Sequence, residues 1–524
     1  MISDRREPDE RESGRDSSAV SRSPGATEGR ASPDPGDRGR LACVVDTHPR
    51  FSLEAIRWFA SARRIAGVDP GDLTVHVVGA PRADVTEYLR QRGVAVDPVS
   101  PFDARSPHCN KISGALSLAA QGLQGLHVLC DTDVLIFEDP RLLEIPPDHV
   151  AMTPVDLPNP PVEVLSTVFA AAGVGEPEQM AVPYRPGTST LSGNGNGGLY
   201  LVPGGILPDV AEGWARWARW LLDRIELLQR WDVHVDQVSM ALALASQGIG
   251  VTQLPPNWNV PTHIDGVITP ETSAPASIHY HQQVDPIGQV LEVGAPAVDD
   301  MIRRANAATA EVWQEHFPNS TFWEWRYSTN PKLGSGVGSR GGPLRRKRRL
   351  LKSVLRAVAP TSVLDVGCGD GEATRGLDMP GYIGIDASAA SVANASMGRP
   401  DGTHLVGSLA DHPVEADLTI CLDVLIHQAD ASAYRDLVER LVRSARRALL
   451  VSGYERRPTS DSPMVYFHES LTATISRYGA ALDVRELREE HEISMLLVLK
   501  APLRRALHVP GLRVLGRAAR ESPR

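Results

Sequence analysis

Short runs of apolar residues alternate along most of the chain with longer stretches whose apolar positions recur at helical spacing. In the first half, this pattern predicts strands at Leu41–Val45, Thr74–Val78, Val94–Val96 and His127–Cys130, separated by segments of helical length. A further helix is predicted from about Asp299 to His316. Strands that alternate with helices favour an α/β fold with a mostly parallel sheet.

The alternation of strands and helices resumes in the last third of the chain. An apolar strand at residues 363–366 leads into a glycine-rich turn, and Tyr382–Asp386 forms the next apolar run. The pattern therefore predicts two α/β domains, one before and one after the helix that begins near Asp299.

Length and composition divide the chain further. A chain of 524 residues is too long for one hydrophobic core. Residues 1–40 are almost free of large apolar side chains, so this segment is predicted to be disordered. Residues 41–297 and 318–502 are the predicted domains, with a connecting helix at 298–317. The basic tail at 503–524 is expected either to be loosely ordered or to contact an anionic membrane surface from the periphery.

Charge and cysteine usage narrow the partners and the compartment. A net charge of -10 argues against nucleic acid as a general partner, because phosphate-binding domains are usually basic. No apolar run is long enough to span a bilayer, and the first residues lack a charged-then-apolar signal pattern. The 5 cysteines are scattered and form no C-x-x-C pair. We therefore expect a cytoplasmic protein.

The glycines that follow residues 363–366 indicate a nucleoside-bearing ligand. Gly367, Gly369 and Gly371 are spaced G-x-G-x-G, whereas dinucleotide sites usually carry G-x-G-x-x-G. Backbone without side chains lets a ligand lie close to the chain. Asp386 ends the next strand, where its carboxylate is placed to accept hydrogen bonds from both ribose hydroxyls.

This arrangement resembles the first motif of class I S-adenosylmethionine-dependent methyltransferases. The resemblance implies a seven-stranded sheet domain and S-adenosyl-L-methionine as cofactor. It also implies a cofactor site made of Asp365, Gly367, Gly369, Gly371, Asp386, Ser408, Leu409 and Asp423. A hydroxyl acceptor needs a general base, and histidine has a suitable pKa. His427 and His468 are the candidates, although His427 could instead only hold its loop in place.

Two carboxylates in the first half have the spacing of a metal site. Asp131 and Asp133 follow an apolar strand in a turn, where both can reach one hard divalent cation. Ligands of open α/β sheets also lie at the carboxyl ends of the strands. Other candidates for phosphate, sugar or metal contacts are Lys111, Asn194, Asn196, Asp236, Gln237, His279 and His281.

Together these residues resemble GT-A glycosyltransferases, especially the group that contains glycogenin and bacterial lipopolysaccharide galactosyltransferases. The resemblance implies that Asp131, Asp133 and His279 hold Mn²⁺ or Mg²⁺ and the diphosphate of a nucleotide-sugar. It places the sugar among Lys111, Asn194, Asn196, Asp236 and Gln237, with Asp236 as a catalytic candidate. The group usually follows its metal-binding histidine with a glycine and Lys-Pro-Trp. Here His279 is followed by Tyr-His-Gln-Gln, so His281 remains an alternative ligand.

The sequence thus predicts a bifunctional transferase with two Rossmann-like domains. One domain attaches a sugar, and the other methylates that sugar or its acceptor, which is a glycan, a glycolipid or a small molecule. The alternative is a methyltransferase whose N-terminal domain binds glycans without catalysis.

Overall fold

The computed structural model describes residues 39–80, 82–264, 267, 269, 272, 274–478, 482–490, 492–500 and 513–514. The predicted disordered segment, apart from its last two residues, lies outside these ranges, and so does nearly all of the basic tail. Disorder and membrane contact therefore stay predictions. Among the described residues, no helix is both long and apolar enough to cross a membrane. The described chain forms two large sheets flanked by helices, which confirms the α/β class.

The first half of the chain contains one large mixed sheet. Its strands, together with those of two smaller sheets, are β1 Leu41–Val45, β2 Leu73–Val78, β3 Ala95–Val99, β4 Leu126–Cys130, β5 Val134–Ile136, β6 His149–Pro154, β7 Gln179–Ala181, β8 Ser189–Leu191, β9 Gly195–Pro203, β10 Gly250–Gln253, β11 Val260–Pro261 and β12 Ser277–His279. The large sheet has the order β10-β6-β9-β4-β1-β2-β3. Strands β1 to β4 are parallel, as predicted, and β9 runs antiparallel between β4 and β6.

Six α-helices accompany these strands in the described part of the first half. They are α1 Pro49–Arg64, α2 Ala83–Gln91, α3 Asn110–Ala119, α4 Val162–Ala172, α5 Leu207–Leu222 and α6 Val235–Gln247. Helix α1 follows β1 and buries most of its length, including Trp58 at its centre. Helix α5 buries Trp214 against β9 and α6, so the regular apolar spacing of this segment reflects core packing.

A small sheet fixes the end of β4. The chain leaves β4 at Cys130, turns through residues 131–133 and continues as β5. Strand β5 pairs antiparallel with β12, and Val134 lies opposite His279. This register brings His279 beside Asp133, although 146 residues separate them in sequence.

The second half forms an eight-stranded sheet. Its strands are β13 Val363–Val366, β14 Tyr382–Asp386, β15 Thr403–Val406, β16 Ala416–Cys421, β17 Ala445–Tyr454, β18 Asp483–Glu490, β19 Ile493–Leu499 and β20 Arg513–Val514, in the order β15-β14-β13-β16-β17-β19-β18-β20. Strands β13 to β17 are parallel, and β19 runs antiparallel between β17 and β18. The short β20 adds one strand to the seven that the resemblance implied.

The helices of this half begin before its sheet. They are α7 Pro296–Glu315, α8 Asn319–Thr329, α9 Gly341–Val358, α10 Ala389–Gly398, α11 Ala431–Ser444 and α12 Leu471–Ser476. Helix α7 starts earlier than predicted, because Pro296 suits the first turn of a helix, where no backbone N–H is needed. Helices α7 and α8 contact α1, so they pack on the first half of the chain.

An aromatic seam joins the two halves, and we define it as Trp313, Phe317, Phe322, Trp325 and Tyr466. These side chains are buried in one apolar cluster that continues into strands β1 to β3. The ring centroids of Trp313 lie 5.4 Å from those of Phe317 and 5.6 Å from those of Phe322. The Tyr466 hydroxyl donates a hydrogen bond to the Trp313 carbonyl. This core therefore contains residues from both sides of the predicted boundary at residue 317. The predicted domain boundaries stay predictions.

Removing the largest side chain of the seam should destabilise the whole chain. We expect Trp313→Ala to lower the free energy of unfolding by about 3–5 kcal/mol, because it leaves a cavity among buried rings. Urea denaturation followed by circular dichroism measures this loss. Trp217→Ala is the control, since Trp217 is only partly buried and lies outside the seam. An equal or larger loss in the control would contradict a special role for the seam.

Candidate functional site

A cleft of about 710 Å³ opens at the carboxyl ends of β1 and β4. Many of its lining residues are polar or charged, and they come from eight segments of the first half. Except for Asn194, all the candidate residues of the first half line this cleft. They are Lys111, Asp131, Asp133, Asn196, Asp236, Gln237, His279 and His281.

Asp133, His279 and His281 form a group that can hold a metal ion. One ligand atom from each lies within 4.8 Å of the others. His279 Nε2 is 3.2 Å from Asp133 Oδ1. Burial opposes the charge of Asp133, but His279 and His281 outweigh it and lower its pKa to about 2. Burial and the neighbouring histidines lower the pKa of His281 to about 3, so this imidazole is neutral at pH 7 and keeps a free lone pair.

Asp131 has a different partner. Its Oδ1 lies 2.7 Å from Lys111 Nζ, and Lys111 is almost fully buried. A Cβ atom on Gly197 would lie 2.9 Å from Lys111 Nζ, so glycine at this position lets the ammonium group lie close to the backbone. Burial, opposed by Lys111, raises the pKa of Asp236. Lys111 thus holds a positive charge between two carboxylates in the floor of the cleft.

The two asparagines of the glycine-rich loop before β9 differ. Asn194 is fully buried and donates to Thr190 Oγ1 at 2.8 Å, so its amide serves the turn and does not line the cleft. Asn196 lines the cleft, donates to Asp156 Oδ2 at 2.7 Å and accepts from the Gly198 N–H at 2.8 Å. The expectation that Asn194 lies around a sugar is therefore not met by its position.

Three residues of the cleft were not found from the sequence. Asp156 and His263 form a second group with His281 whose ligand atoms also lie within 4.8 Å of one another. Glu54, on α1, accepts a hydrogen bond from the Thr132 hydroxyl at 2.7 Å. Burial, with Asp133 nearby, raises the pKa of Glu54 to about 8. None of the three has a sequence signal, because tertiary packing alone brings their segments to the turn at 131–133.

A second cavity of about 330 Å³ opens at the carboxyl ends of β13, β14 and β16. Helix α8 and the segment after it cover one side. The predicted residues that line it are Asp365, Gly367, Asp386, Ser408, Leu409, Asp423 and His427. Gly369 and Gly371 belong to the same turn but do not line the cavity.

The glycine turn has the backbone that its sequence predicts. Gly367, Gly369 and Gly371 have φ values of 73°, 56° and 71°, in the left-handed region that favours glycine. The Asp386 carboxylate accepts the Gly369 N–H at 2.9 Å and the Ser388 N–H at 3.0 Å. Burial nevertheless raises the pKa of Asp386 above its usual value. One carboxylate thus ties the turn to the end of β14 and still lines the cavity.

The segment after α8 closes over this turn. Ser335 Oγ lies 2.8 Å from the Tyr327 hydroxyl and donates to Asp370 Oδ1 at 2.9 Å. Arg340 forms an ion pair with the same Asp370 carboxylate. A Cβ atom on Gly369 would lie 2.5 Å from Ser335 Oγ, so the closure requires glycine there. Tyr327 and Ser335 consequently form part of the cavity wall.

The two candidate bases are placed differently. His427 Nδ1 lies 2.8 Å from the Met464 carbonyl, and its ring packs against Trp323 in the cavity wall. Burial lowers the pKa of His427, so the neutral imidazole donates from Nδ1 and keeps Nε2 as an acceptor. His468 Nε2 lies 2.8 Å from the Gln428 carbonyl, and His468 does not line the cavity. Its partner and its distance from the wall disfavour His468 as a base.

Lys347 is a cavity residue that the sequence reading missed. It lies on the basic helix α9, yet its side chain is only 4% exposed. Its Nζ lies 2.6 Å from Asp423 Oδ2, beside the end of β16. Asp423 has a φ of 60°, and its Oδ1 accepts from the Ser452 hydroxyl at 3.0 Å. Lys347 and Ser452 therefore fix the Asp423 carboxylate at the cavity wall.

Comparison with known proteins places one family in the second half. Residues 364–454 match the sequence family described as "Methyltransferase domain". This range contains the glycine turn, Asp386, Asp423 and His427, so the C-terminal part of the chain contains a methyltransferase domain. No curated protein matches the chain.

Several solved structures are similar to parts of the chain. Magnesium protoporphyrin IX methyltransferase from Synechocystis PCC 6803 with bound SAH is 20% identical, covering 30% of this chain and 83% of its own, with a TM-score of 0.26. N-methyltransferase NodS from Bradyrhizobium japonicum WM9 in complex with S-adenosyl-L-homocysteine is 13% identical, with 34% and 98% covered and a TM-score of 0.29. Galactosyltransferase LgtC in complex with donor and acceptor sugar analogues is 13% identical, with 51% and 95% covered and a TM-score of 0.32. These low scores add nothing to the placement of either site.

The buried Asp365 should make stability depend on pH. Burial, opposed by the Tyr382 hydroxyl that donates at 2.9 Å, raises the pKa of Asp365 to about 6. The unfolded carboxyl titrates near ~4, so the folded chain holds this proton more tightly. Its contribution to stability is present below pH ~4 and is lost as pH rises through about 6. Between these values the wild type should lose up to about 3 kcal/mol relative to Asp365→Asn.

Urea denaturation midpoints at several pH values between ~4 and ~7 measure this difference. Asp401→Asn is the matched control, because Asp401 is exposed and should leave the pH dependence unchanged. Parallel pH profiles of the wild type and Asp365→Asn would contradict the raised pKa.

Proposed function

We propose that the chain is a bifunctional transferase. The second cavity binds S-adenosyl-L-methionine and transfers its methyl group to a hydroxyl of a sugar or of a sugar-bearing acceptor. The first cleft binds a nucleotide-sugar and a divalent metal, in the manner of a GT-A glycosyltransferase. The observation that carries the methyl-transfer part is the Asp386 carboxylate, which holds the glycine turn and lines the cavity within the matched methyltransferase domain.

In the second cavity, S-adenosyl-L-methionine supplies an electrophilic methyl group, so the residues mainly have to orient the two substrates. Asp386 would accept hydrogen bonds from the ribose hydroxyls, and the glycine turn would lie against the amino-acid end. His427 Nε2, free because Nδ1 donates to Met464, is the group able to accept the proton of an acceptor hydroxyl. Lys347 would hold the Asp423 carboxylate in place beside that hydroxyl.

In the first cleft, a bound divalent cation would neutralise the charge that develops on a departing nucleoside diphosphate. The residues present fit such an ion, because Asp133, His279 and His281 converge on one point. Lys111 offers a second positive charge, and Asp236, at the start of α6, lies near it as a catalytic candidate. Asn196 and Gln237 present amides to the sugar. Asn194 drops out of this set, since its amide is buried in the turn.

The cofactor site is tested by changing its carboxylate. We expect Asp386→Ala to weaken binding of S-adenosyl-L-methionine at least tenfold, about 1.4 kcal/mol or more, because charge-assisted hydrogen bonds to the ribose are lost. Calorimetric titration of the full chain measures the affinity. Asp401→Ala should bind as the wild type does. Unchanged affinity in Asp386→Ala would refute this placement of the ribose.

Glycosyl transfer is tested by the release of nucleoside diphosphate from a panel of nucleotide-sugars. We expect Asp133→Asn to lower this release at least about 100-fold, because even outer-shell changes cost metal sites about 10–100-fold. Binding of S-adenosyl-L-methionine should stay unchanged. Asp148→Asn is the control, since Asp148 is exposed and precedes β6, whereas the cleft residues Val155 and Asp156 follow the other end of that strand.

Two results would argue against metal-dependent glycosyl transfer in the first cleft. Equal release by Asp133→Asn and the wild type would show that the reaction does not depend on a metal bound to Asp133. Absence of release with every sugar and cation, while the chain still binds a glycan, would favour the alternative of a methyltransferase with a non-catalytic glycan-binding domain. The ion pair between Lys111 and Asp131 favours this alternative, because it occupies one of the two carboxylates expected to bind metal.

A further inference from the structure

The end of β12 presents two histidines side by side. His279 is the last residue of β12, and His281 follows two residues later, just beyond the strand. The two imidazole rings stack, with centroids 3.6 Å apart and an angle of 23° between planes. Tyr280 is fully buried, and its hydroxyl accepts from Arg57 Nη1 at 3.1 Å. This anchor fixes both imidazoles toward the cleft.

The backbone after β12 adopts a conformation that side chains rarely accept. His281 and Gln282 have φ values of 44° and 64°, in the left-handed region. Neither residue is glycine, so the turn carries a conformational cost. Strain of this kind persists where the surrounding structure enforces it, often at ligand sites. The turn places His281 near Asp133 and His279, since one ligand atom of each lies within 4.8 Å of the others.

His281 also has a nitrogen without a use inside the protein. Among the described residues, its Nε2 is buried and has no hydrogen-bond partner. The nearest carboxylate oxygen, Asp156 Oδ2, is 3.7 Å away, which is beyond hydrogen-bond distance. A buried imidazole nitrogen without a partner is costly unless a ligand completes it.

The neighbouring residues support His281 in the same place. The His263 ring lies edge-on to it, with centroids 3.9 Å apart, and Asp156 is held by Asn196. Asp131, by contrast, is already paired with Lys111 at 2.7 Å. The groups left to converge on an ion are therefore two imidazoles and one carboxylate.

We propose that the metal of this cleft is held by Asp133, His279 and His281, and that this nitrogen-rich set selects Zn²⁺ or Co²⁺ over Mn²⁺ and Mg²⁺. Imidazole ligands suit zinc and its neighbours, whereas Mg²⁺ and Mn²⁺ prefer carboxylate, carbonyl and water oxygens. Asp131 is not a ligand, and Asp156 and His263 are positioning residues for His281. The metal choice deepens the proposed glycosyl-transfer site and rests on that proposal only for its biological use.

Metal binding by the full chain, stripped with a chelator and without any nucleotide-sugar, tests this ligand set. Competition with a chelating dye measures the affinity for each metal alone, and the visible absorption of bound Co²⁺ reports its ligand geometry. We expect Zn²⁺ to bind at least about 100-fold more tightly than Mn²⁺. His281→Ala should weaken Zn²⁺ binding at least about 100-fold and change the Co²⁺ spectrum, while Asp131→Asn should change the affinity by less than about tenfold.

His108→Ala is the matched control, because His108 is exposed in the same cleft but outside the metal group. Binding of S-adenosyl-L-methionine shows that each variant is folded. Equal affinities for Mn²⁺ and Zn²⁺, no Zn²⁺ binding, or Zn²⁺ binding unchanged in His281→Ala would each overturn the proposal. A chain that binds Zn²⁺ through these residues yet releases no nucleoside diphosphate would uphold the metal site and contradict glycosyl transfer.

Discussion

The burial of the aromatic seam is the constraint on which both sites depend. Trp313, Phe317, Phe322, Trp325 and Tyr466 continue the core of the first sheet into the second half of the chain. Beside them, Asp84 accepts the Thr321 N–H at 3.0 Å and so fixes the start of α8 against α2. Apolar burial supplies the driving force, and the polar contacts set the orientation. The halves therefore pack as one body of structure, not as modules on an exposed linker.

Helix α8 consequently contributes to both sides of the molecule. Trp323 and Tyr327 line the methyltransferase cavity. Trp325 and Arg326 line a smaller cavity of about 230 Å³, whose opposite wall includes Arg50 and Glu54 of the first cleft. One helix thus separates the two sites, and a change in its packing acts on both.

The sequence predicted those site residues that follow strands directly. Asp133 and Asp386 end or follow apolar strands, and the carboxyl ends of parallel strands share one edge of a sheet. It could not predict Lys347 or His263, because helix packing and loop paths bring them to their cavities. The His468 Nε2 contacts the Gln428 carbonyl and His468 does not line the cavity, so its role as a base stays a prediction that its position disfavours. Periodicity shows which face is buried, not what a buried polar group contacts.

The central claim is that one chain carries a metal-and-nucleotide site and a methyl-donor site. The most direct measurement is an anomalous diffraction map at the zinc edge, from crystals of the full chain grown with Zn²⁺, UDP and S-adenosylhomocysteine. The account predicts one zinc peak at about 2.0–2.2 Å from ligand atoms of Asp133, His279 and His281. It also predicts that the ribose hydroxyls of bound S-adenosylhomocysteine donate hydrogen bonds to Asp386. Zinc absent from the cleft, or a nucleoside bound away from the glycine turn, would contradict it.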